Sequence, residues 1–148
     1  MYPGRGIQMK KILFATSEAV PFIKTGGLAD VAGSLPKCFD KKYFDIRVIL
    51  PKYACMKQQW KDKMEYVTHF YMDLGFKNCY VGIMQMQYDG IQFYFIDNEY
   101  YFSGQKPYDS APWDLEKFAF FSKAVSPGKA DRAGDELPLF TPDFTGKR

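Results

Sequence analysis

Apolar and polar positions change period along this chain, and each change marks a predicted element. Residues 11–16, Lys11-Ile12-Leu13-Phe14-Ala15-Thr16, are a continuous apolar run after a lysine. That is the pattern of a strand buried on both faces of a parallel sheet. Residues 17–27 follow without periodicity and are longer than a usual strand-to-helix connection, which points to a binding loop. From Leu28 the apolar positions Leu28, Val31, Ala32, Leu35 and Phe39 fall at helical spacing and predict one helix face packed on the sheet. Pro36 lacks an N–H, so a kink is expected near Ala32. Residues 44–50 read as a second strand, stopped by Pro51-Lys52-Tyr53. Strand, helix and strand with a short return imply a right-handed parallel unit.

Residues 55–63 suit a short polar helix. The chain then turns strand-like at 66–74, 79–88 and 91–97, and Asp89-Gly90 between the last two is a two-residue hairpin signal. This predicts an antiparallel insertion beside the parallel sheet. Tyr100-Tyr101-Phe102-Ser103-Gly104 reads as an aromatic surface turn, with a place facing a sugar cleft as the alternative. Pro112 marks a helix first turn, with Asp114 and Glu116 favourably placed for its dipole. Leu115, Phe118, Phe121 and Val125 are its expected buried stripe, and Pro127-Gly128 its stop. Residues 1–8 and 128–148 carry neither period; the first are expected to be a disordered extension, the second an irregular tail. The overall expectation is an α/β fold.

Composition narrows the functional classes. The chain has 148 residues, 47% of them hydrophobic, enough for one domain with a core. A net charge of +3 with no Lys/Arg cluster gives no reason to expect nucleic acid. Aromatic residues make up 18% and crowd between Tyr66 and Phe121; most are expected in the core, with sugar stacking as a further use. Cys38, Cys55 and Cys79 are widely spaced, no Cys-x-x-Cys occurs and His69 is the sole histidine. Neither a metal site nor a disulfide framework is expected, and a reducing cytoplasm is the default compartment. No run approaches the roughly 20 apolar residues of a membrane helix; a soluble protein without a membrane partner is expected.

The candidate chemistry sits in the loop after the first strand. Ser17-Glu18-Ala19-Val20-Pro21-Phe22-Ile23-Lys24-Thr25-Gly26-Gly27-Leu28-Ala29-Asp30 runs from the strand end into the helix start. Backbone N–H groups at such a helix start can face an anion. Gly26-Gly27 would permit positive φ and close approach to a ligand, Lys24 adds a cation and Asp30 a carboxylate. A dinucleotide fingerprint would need Gly-x-Gly-x-x-Gly and an acid at the second strand end. Gly27 and Gly33 are misplaced for it, so a nicotinamide or flavin dinucleotide is disfavoured, and no Walker phosphate loop is present.

These residues, together with Leu35-Pro36-Lys37 and Asp45-Ile46-Arg47-Val48-Ile49-Leu50-Pro51-Lys52-Tyr53, resemble the N-terminus of bacterial glycogen synthases and plant starch synthases. The match is long and ungapped at its start, weakens through the middle and is lost after about Pro127. The resemblance implies a partial Rossmann-like domain of the glycosyltransferase-B type over residues 9–127. It also implies transfer of glucose from ADP-glucose to the non-reducing end of an α-1,4-glucan, with retention and without a metal or other cofactor. Lys24, Gly26 and Gly27 would bind ADP-glucose, Asp30 would lie near the reacting sugar, and Glu18 is a weaker candidate for the same pocket. The chain reads as the first part of such an enzyme, inactive alone, with another polypeptide supplying the missing domain. The alternative is a non-catalytic nucleotide- or glucan-binding module that reuses the fold.

Overall fold

The computed structural model describes residue 6 and residues 8–126. The irregular tail expected at 128–148, and the extension at 1–8 apart from residues 6 and 8, lie outside the described residues. Strands β1 (Lys10–Ala15), β2 (Phe44–Pro51), β3 (Glu65–Leu74), β4 (Lys77–Tyr88) and β5 (Ile91–Asp97) form one mixed sheet in the order β1-β2-β5-β4-β3. The sheet is curled into a half-barrel. β1 pairs with β2 in parallel from Lys10↔Phe44 to Ala15↔Ile49, and β2 pairs in parallel with β5. β4 runs antiparallel to both β5 and β3. The parallel pair and the hairpin beside it are therefore as predicted. The hairpin turn places Asp89 at φ 50° and Gly90 at φ 77°, the paired positive φ angles that a two-residue turn between twisted strands requires.

The first strand differs from its expectation. β1 is a sheet edge with β2 as its neighbour, so Ile12, Leu13 and Phe14 are only half-buried and Ala15 is exposed. Burial on both faces is instead found in β2 and β5, where Val48, Ile49, Leu50, Tyr94, Phe95 and Ile96 are all 0% exposed.

Helix α1 (Gly27–Ser34) also turns a different side inward. Leu28, Val31 and Leu35 of the predicted stripe are 46%, 54% and 39% exposed. The buried residues are Ala29, Ala32 and Gly33. The cause is close packing against the loop: Val20 N–H donates to the Ala29 carbonyl at 3.0 Å. A Cβ on Gly33 would stand 2.3 Å from Val20 Cγ2. Small residues let helix and loop approach. Pro36 introduces no kink; α1 ends at Ser34 and continues as a 3₁₀ turn, Leu35–Cys38, with Pro36 in its first positions where no N–H is needed.

Helix α2 (Gln58–Lys61) is shorter than the expected 55–63. Residues 99–102 form a short helix, α3 (Glu99–Phe102), rather than a surface turn, because Asn98 Oδ1 accepts the Tyr101 N–H at 2.9 Å and caps it. Tyr101 and Phe102 are consequently core residues and Tyr100 is exposed. Helix α4 (Ala111–Val125) buries Lys117, Phe120, Phe121 and Ala124. Of the expected stripe, Phe121 is buried, Phe118 and Val125 are half-buried and Leu115 is 75% exposed. The rotation follows from Tyr101, whose ring stacks on Phe120 at 4.5 Å, and from Lys117, which turns inward. Glu116 on the flank of α4 pairs with Lys77 at 2.5 Å, which holds its carboxyl below the usual range. No helix among the described residues is long and apolar enough to cross a membrane.

Candidate functional site

The loop after β1 leaves the C-terminal end of the parallel strands, the side on which open α/β sheets present their ligand crevices. Its first anchor is Phe22. A tight turn, with the Phe22 and Ile23 N–H groups both donating to the Ala19 carbonyl, drives that ring into the core. There it meets Phe93, Phe95, Trp60 and Tyr88 at centroid distances of 4.8, 5.1, 5.4 and 5.8 Å.

The second anchor is Glu18, only 1% exposed. Its Oε1 accepts the N–H groups of Gly26 and Ala29, each at 3.2 Å. Its Oε2 accepts the Thr25 N–H at 3.2 Å, the Thr25 hydroxyl, and the Tyr108 hydroxyl at 3.3 Å. A buried carboxylate demands such partners, and here they include the free amide groups at the head of α1. The chain's own carboxylate therefore fills part of the anion-binding position that the sequence pattern suggests. The Gly27 N–H makes no hydrogen bond within the described residues.

The remaining predicted residues stand on the outside of the same corner. Lys24 Nζ reaches both Asp30 oxygens at 2.9 and 2.8 Å, with the two side chains 53% and 55% exposed. Positive φ at the glycine pair is not found: Gly26 is extended at φ −165°, and the glycines at positive φ among the described residues are Gly75 and Gly90. A Cβ on Gly26 or Gly27 would meet nothing within 4 Å, so what the pair offers is bare, open backbone.

Three residues that sequence reasoning did not single out, Tyr108, Lys117 and Tyr53, complete the corner. Tyr108 shares a 2.6 Å hydrogen bond with the Ser17 hydroxyl besides the one to Glu18, and burial pushes its phenol pKa up. It is held by Lys117, whose side chain is 1% exposed and whose Nζ donates to the Pro107 carbonyl at 2.6 Å and to Asp109 at 3.0 Å, with Asp114 at 3.2 Å. Tyr53 donates to the Ser17 carbonyl at 2.7 Å, and its burial raises its pKa as well. Thus α4 fixes residues 107–109, which in turn brace the loop.

Cavities do not coincide with this corner. A concavity of about 820 Å³ opens at the N-terminal ends of β2 and β5, beside Asp45, Arg47, Glu65 and Gln92. A hollow of about 140 Å³ lies behind the loop, against Val20, Gly33 and Phe93. Among the described residues, no three His, Cys, Asp or Glu side chains gather as a metal cage.

Residues 11–128 match the family model described as starch synthase catalytic domain. The chain belongs to this family. It is 64% identical over 117 residues to a glycogen synthase of Lachnoclostridium phytofermentans, covering 79% of this chain and 24% of that protein. A glycogen synthase of Clostridium novyi is 48% identical over 132 residues, covering 89% of this chain and 26% of its own length. Among solved structures, the catalytic domain of starch synthase IV from Arabidopsis thaliana, bound to ADP and acarbose, superposes with a TM-score of 0.65 at 27% identity. That likeness covers 78% of this chain and 24% of the plant chain. The mixed sheet is thus the start of a glycosyltransferase-B type, Rossmann-like domain. The chain spans about a quarter of the length of these relatives.

Proposed function

We propose that this chain forms the donor-side wall of an ADP-glucose-dependent α-1,4-glucan synthase acting in the cytoplasm, with the opposite wall supplied by further polypeptide. The observation that carries the reading is the loop corner itself: a buried carboxylate holds Thr25, Gly26 and Ala29 rigidly. Lys24 and the open Gly27 amide remain at the surface beyond the β1 end. Departure of ADP develops charge on the diphosphate, and cations and N–H groups already in place stabilise that charge most in the transition state. Lys24 would serve the diphosphate. An exposed ion pair is worth about 0–1 kcal/mol, so Lys24 can exchange Asp30 for phosphate oxygens at little cost. Asp30, released, would then lie beside the sugar. Glu18 acts in this scheme as a positioning residue, because its oxygens are committed to the loop.

The test is a titration of the chain with ADP and ADP-glucose, followed by backbone amide shifts. Shifts confined to residues 24–30, with an affinity in the millimolar range of about −4 kcal/mol and weakened several-fold in Lys24→Ala, are expected. Absence of any shift there at saturating nucleotide would remove the donor-wall reading.

A further inference from the structure

Residues 103–110 join α3 to α4 without forming a helix or strand of their own. Among the described residues, their hydrogen bonds to the rest of the chain are made at two places. One is Tyr108, whose hydroxyl meets Ser17 and Glu18. The other is α4. Lys117 Nζ donates to the Pro107 carbonyl and to Asp109 Oδ2, the Asp109 N–H donates to both Asp114 oxygens at 3.0 and 3.1 Å, and the Asp114 N–H donates to the Ser110 carbonyl at 2.8 Å. Gly104 is seated against the same group, since a Cβ there would stand 3.0 Å from Asp109 Oδ2. The segment is therefore wound on one ammonium. Lys117 grips the residues on either side of Tyr108, so the backbone that carries this ring is clamped from a single point.

An ammonium has three N–H groups, and Lys117 finds an acceptor for each in the Pro107 carbonyl, Asp109 and Asp114. Its side chain is 1% exposed, whereas those of Asp109 and Asp114 are 30% and 23% exposed. Replacing a buried ion pair by apolar packing is often neutral or stabilising, and Phe120, Phe121 and Ala124 already seat α4 in the core. Packing alone thus gives no reason for a lysine at this position; holding the segment in one place does. Among the described residues, Tyr108 is also the one donor to the Glu18 carboxylate from outside residues 25–29. It ties the loop corner to the body of the fold. We propose that Lys117 is a positioning residue of the donor site: by clamping both neighbours of Tyr108 it keeps that hydroxyl on Glu18, and so sets donor affinity at residues 24–27 from inside α4. The inference rests on the donor-wall reading and extends it to a side chain that is closed to solvent.

The experiment pairs ADP titration, followed by backbone amide shifts, with urea unfolding of the full 148-residue chain and its variants. Lys117→Met keeps an unbranched apolar side chain and removes the ammonium. It should weaken ADP binding about three- to tenfold, within the range of coupled neighbours, and lower the urea midpoint. In a Tyr108→Phe background the same substitution should weaken ADP binding no further. Adding Asp109→Asn to Lys117→Met takes away one uncompensated carboxylate. The midpoint should then recover in part while ADP binding stays weak, because the clamp is still missing. Where Lys117→Met does not fold, Asp109→Asn alone cuts one arm of the clamp and should show a smaller loss of the same kind, again absent in the Tyr108→Phe background. Undiminished ADP affinity in these variants, or an equal further loss on top of Tyr108→Phe, would overturn the proposal. So would affinity that returns together with the midpoint, which makes Lys117 a part of the fold and nothing more. Each of these results leaves the donor wall standing. A parent chain that binds no ADP removes the donor wall and this inference with it.

Discussion

At the scale of single residues, Glu18 carries more of the site than any other side chain. Its Oε1 serves two backbone N–H groups and its Oε2 serves Thr25 twice and Tyr108 once. Glu18→Gln keeps the shape but replaces one acceptor oxygen with an NH₂ group, which then faces donors whichever way the amide is turned. Two or more charge-assisted bonds are lost, and about 2–4 kcal/mol of stability should go with them. Urea unfolding followed by far-UV circular dichroism measures this, and a loss under about 0.5 kcal/mol, the scale of an ordinary surface substitution, would show that Glu18 does not hold the loop. Glu18, Lys24, Gly26, Gly27 and Asp30 could be named as candidates from the sequence because they are neighbours along the chain and carry the chemistry of the proposed site. The sequence did not reveal that Glu18 is turned inward, since burial of a carboxylate depends on donors arriving from elsewhere. Tyr108 arrives from 90 residues away and had no local signal. Lys117 had one: a lysine on the side of α4 that also carries Asp114 and Phe121, where an inward turn requires partners.

At the scale of elements, hydrophobic periodicity found α1 and α4 but not which side of each faces inward. Large apolar residues dominate a periodicity count, whereas α1 is seated by its small ones. Ala29, Ala32 and Gly33 are buried and Leu28 and Val31 are exposed. Gly33 decides between these descriptions. In an exposed helix, Gly→Ala stabilises by about 1 kcal/mol. In this packing, the new Cβ would stand 2.3 Å from Val20 Cγ2 and 3.0 Å from the Val20 carbonyl oxygen, and the second contact is backbone that cannot swing away. Gly33→Ala should therefore destabilise by about 1–3 kcal/mol. Adding Val20→Ala should recover part of that loss, since the two sites share a contact. Denaturant midpoints of the single and double variants test this; stabilisation by Gly33→Ala would mean that α1 does not lie against the loop. The hairpin was legible for the opposite reason: Asp89-Gly90 encodes its φ angles locally, with no dependence on distant packing.

At the scale of the whole molecule, the parallel pair and its antiparallel neighbours follow from strand patterning, but the edge position of β1 does not. A continuous apolar run such as 11–16 fits burial on both sides, and which strands flank it depends on the rest of the sheet. The row Leu28 and Val31 on α1 with Leu35 in the turn after it, and the half-buried Ile12 to Phe14, are part of the apolar surface left open. Relatives four times longer have other segments available to cover such a surface. The same proportion bears on activity. Glucosyl transfer between two bound partners draws much of its rate from holding the reacting groups in place and from charges set on both sides of the bond that breaks. On the donor-wall reading, the described residues supply Lys24, the Gly27 amide and Asp30 on one side. One wall buries little of a nucleotide sugar, so orientation is loose, water is admitted and the developing diphosphate charge meets a single cation. The 148-residue chain by itself should then incorporate no measurable label from radiolabelled ADP-glucose into glycogen, even where it binds ADP. Turnover at a rate typical of enzymes, about 1 s⁻¹ or above, and abolished by Asp30→Ala, would contradict this. It would require a complete site assembled from copies of this chain.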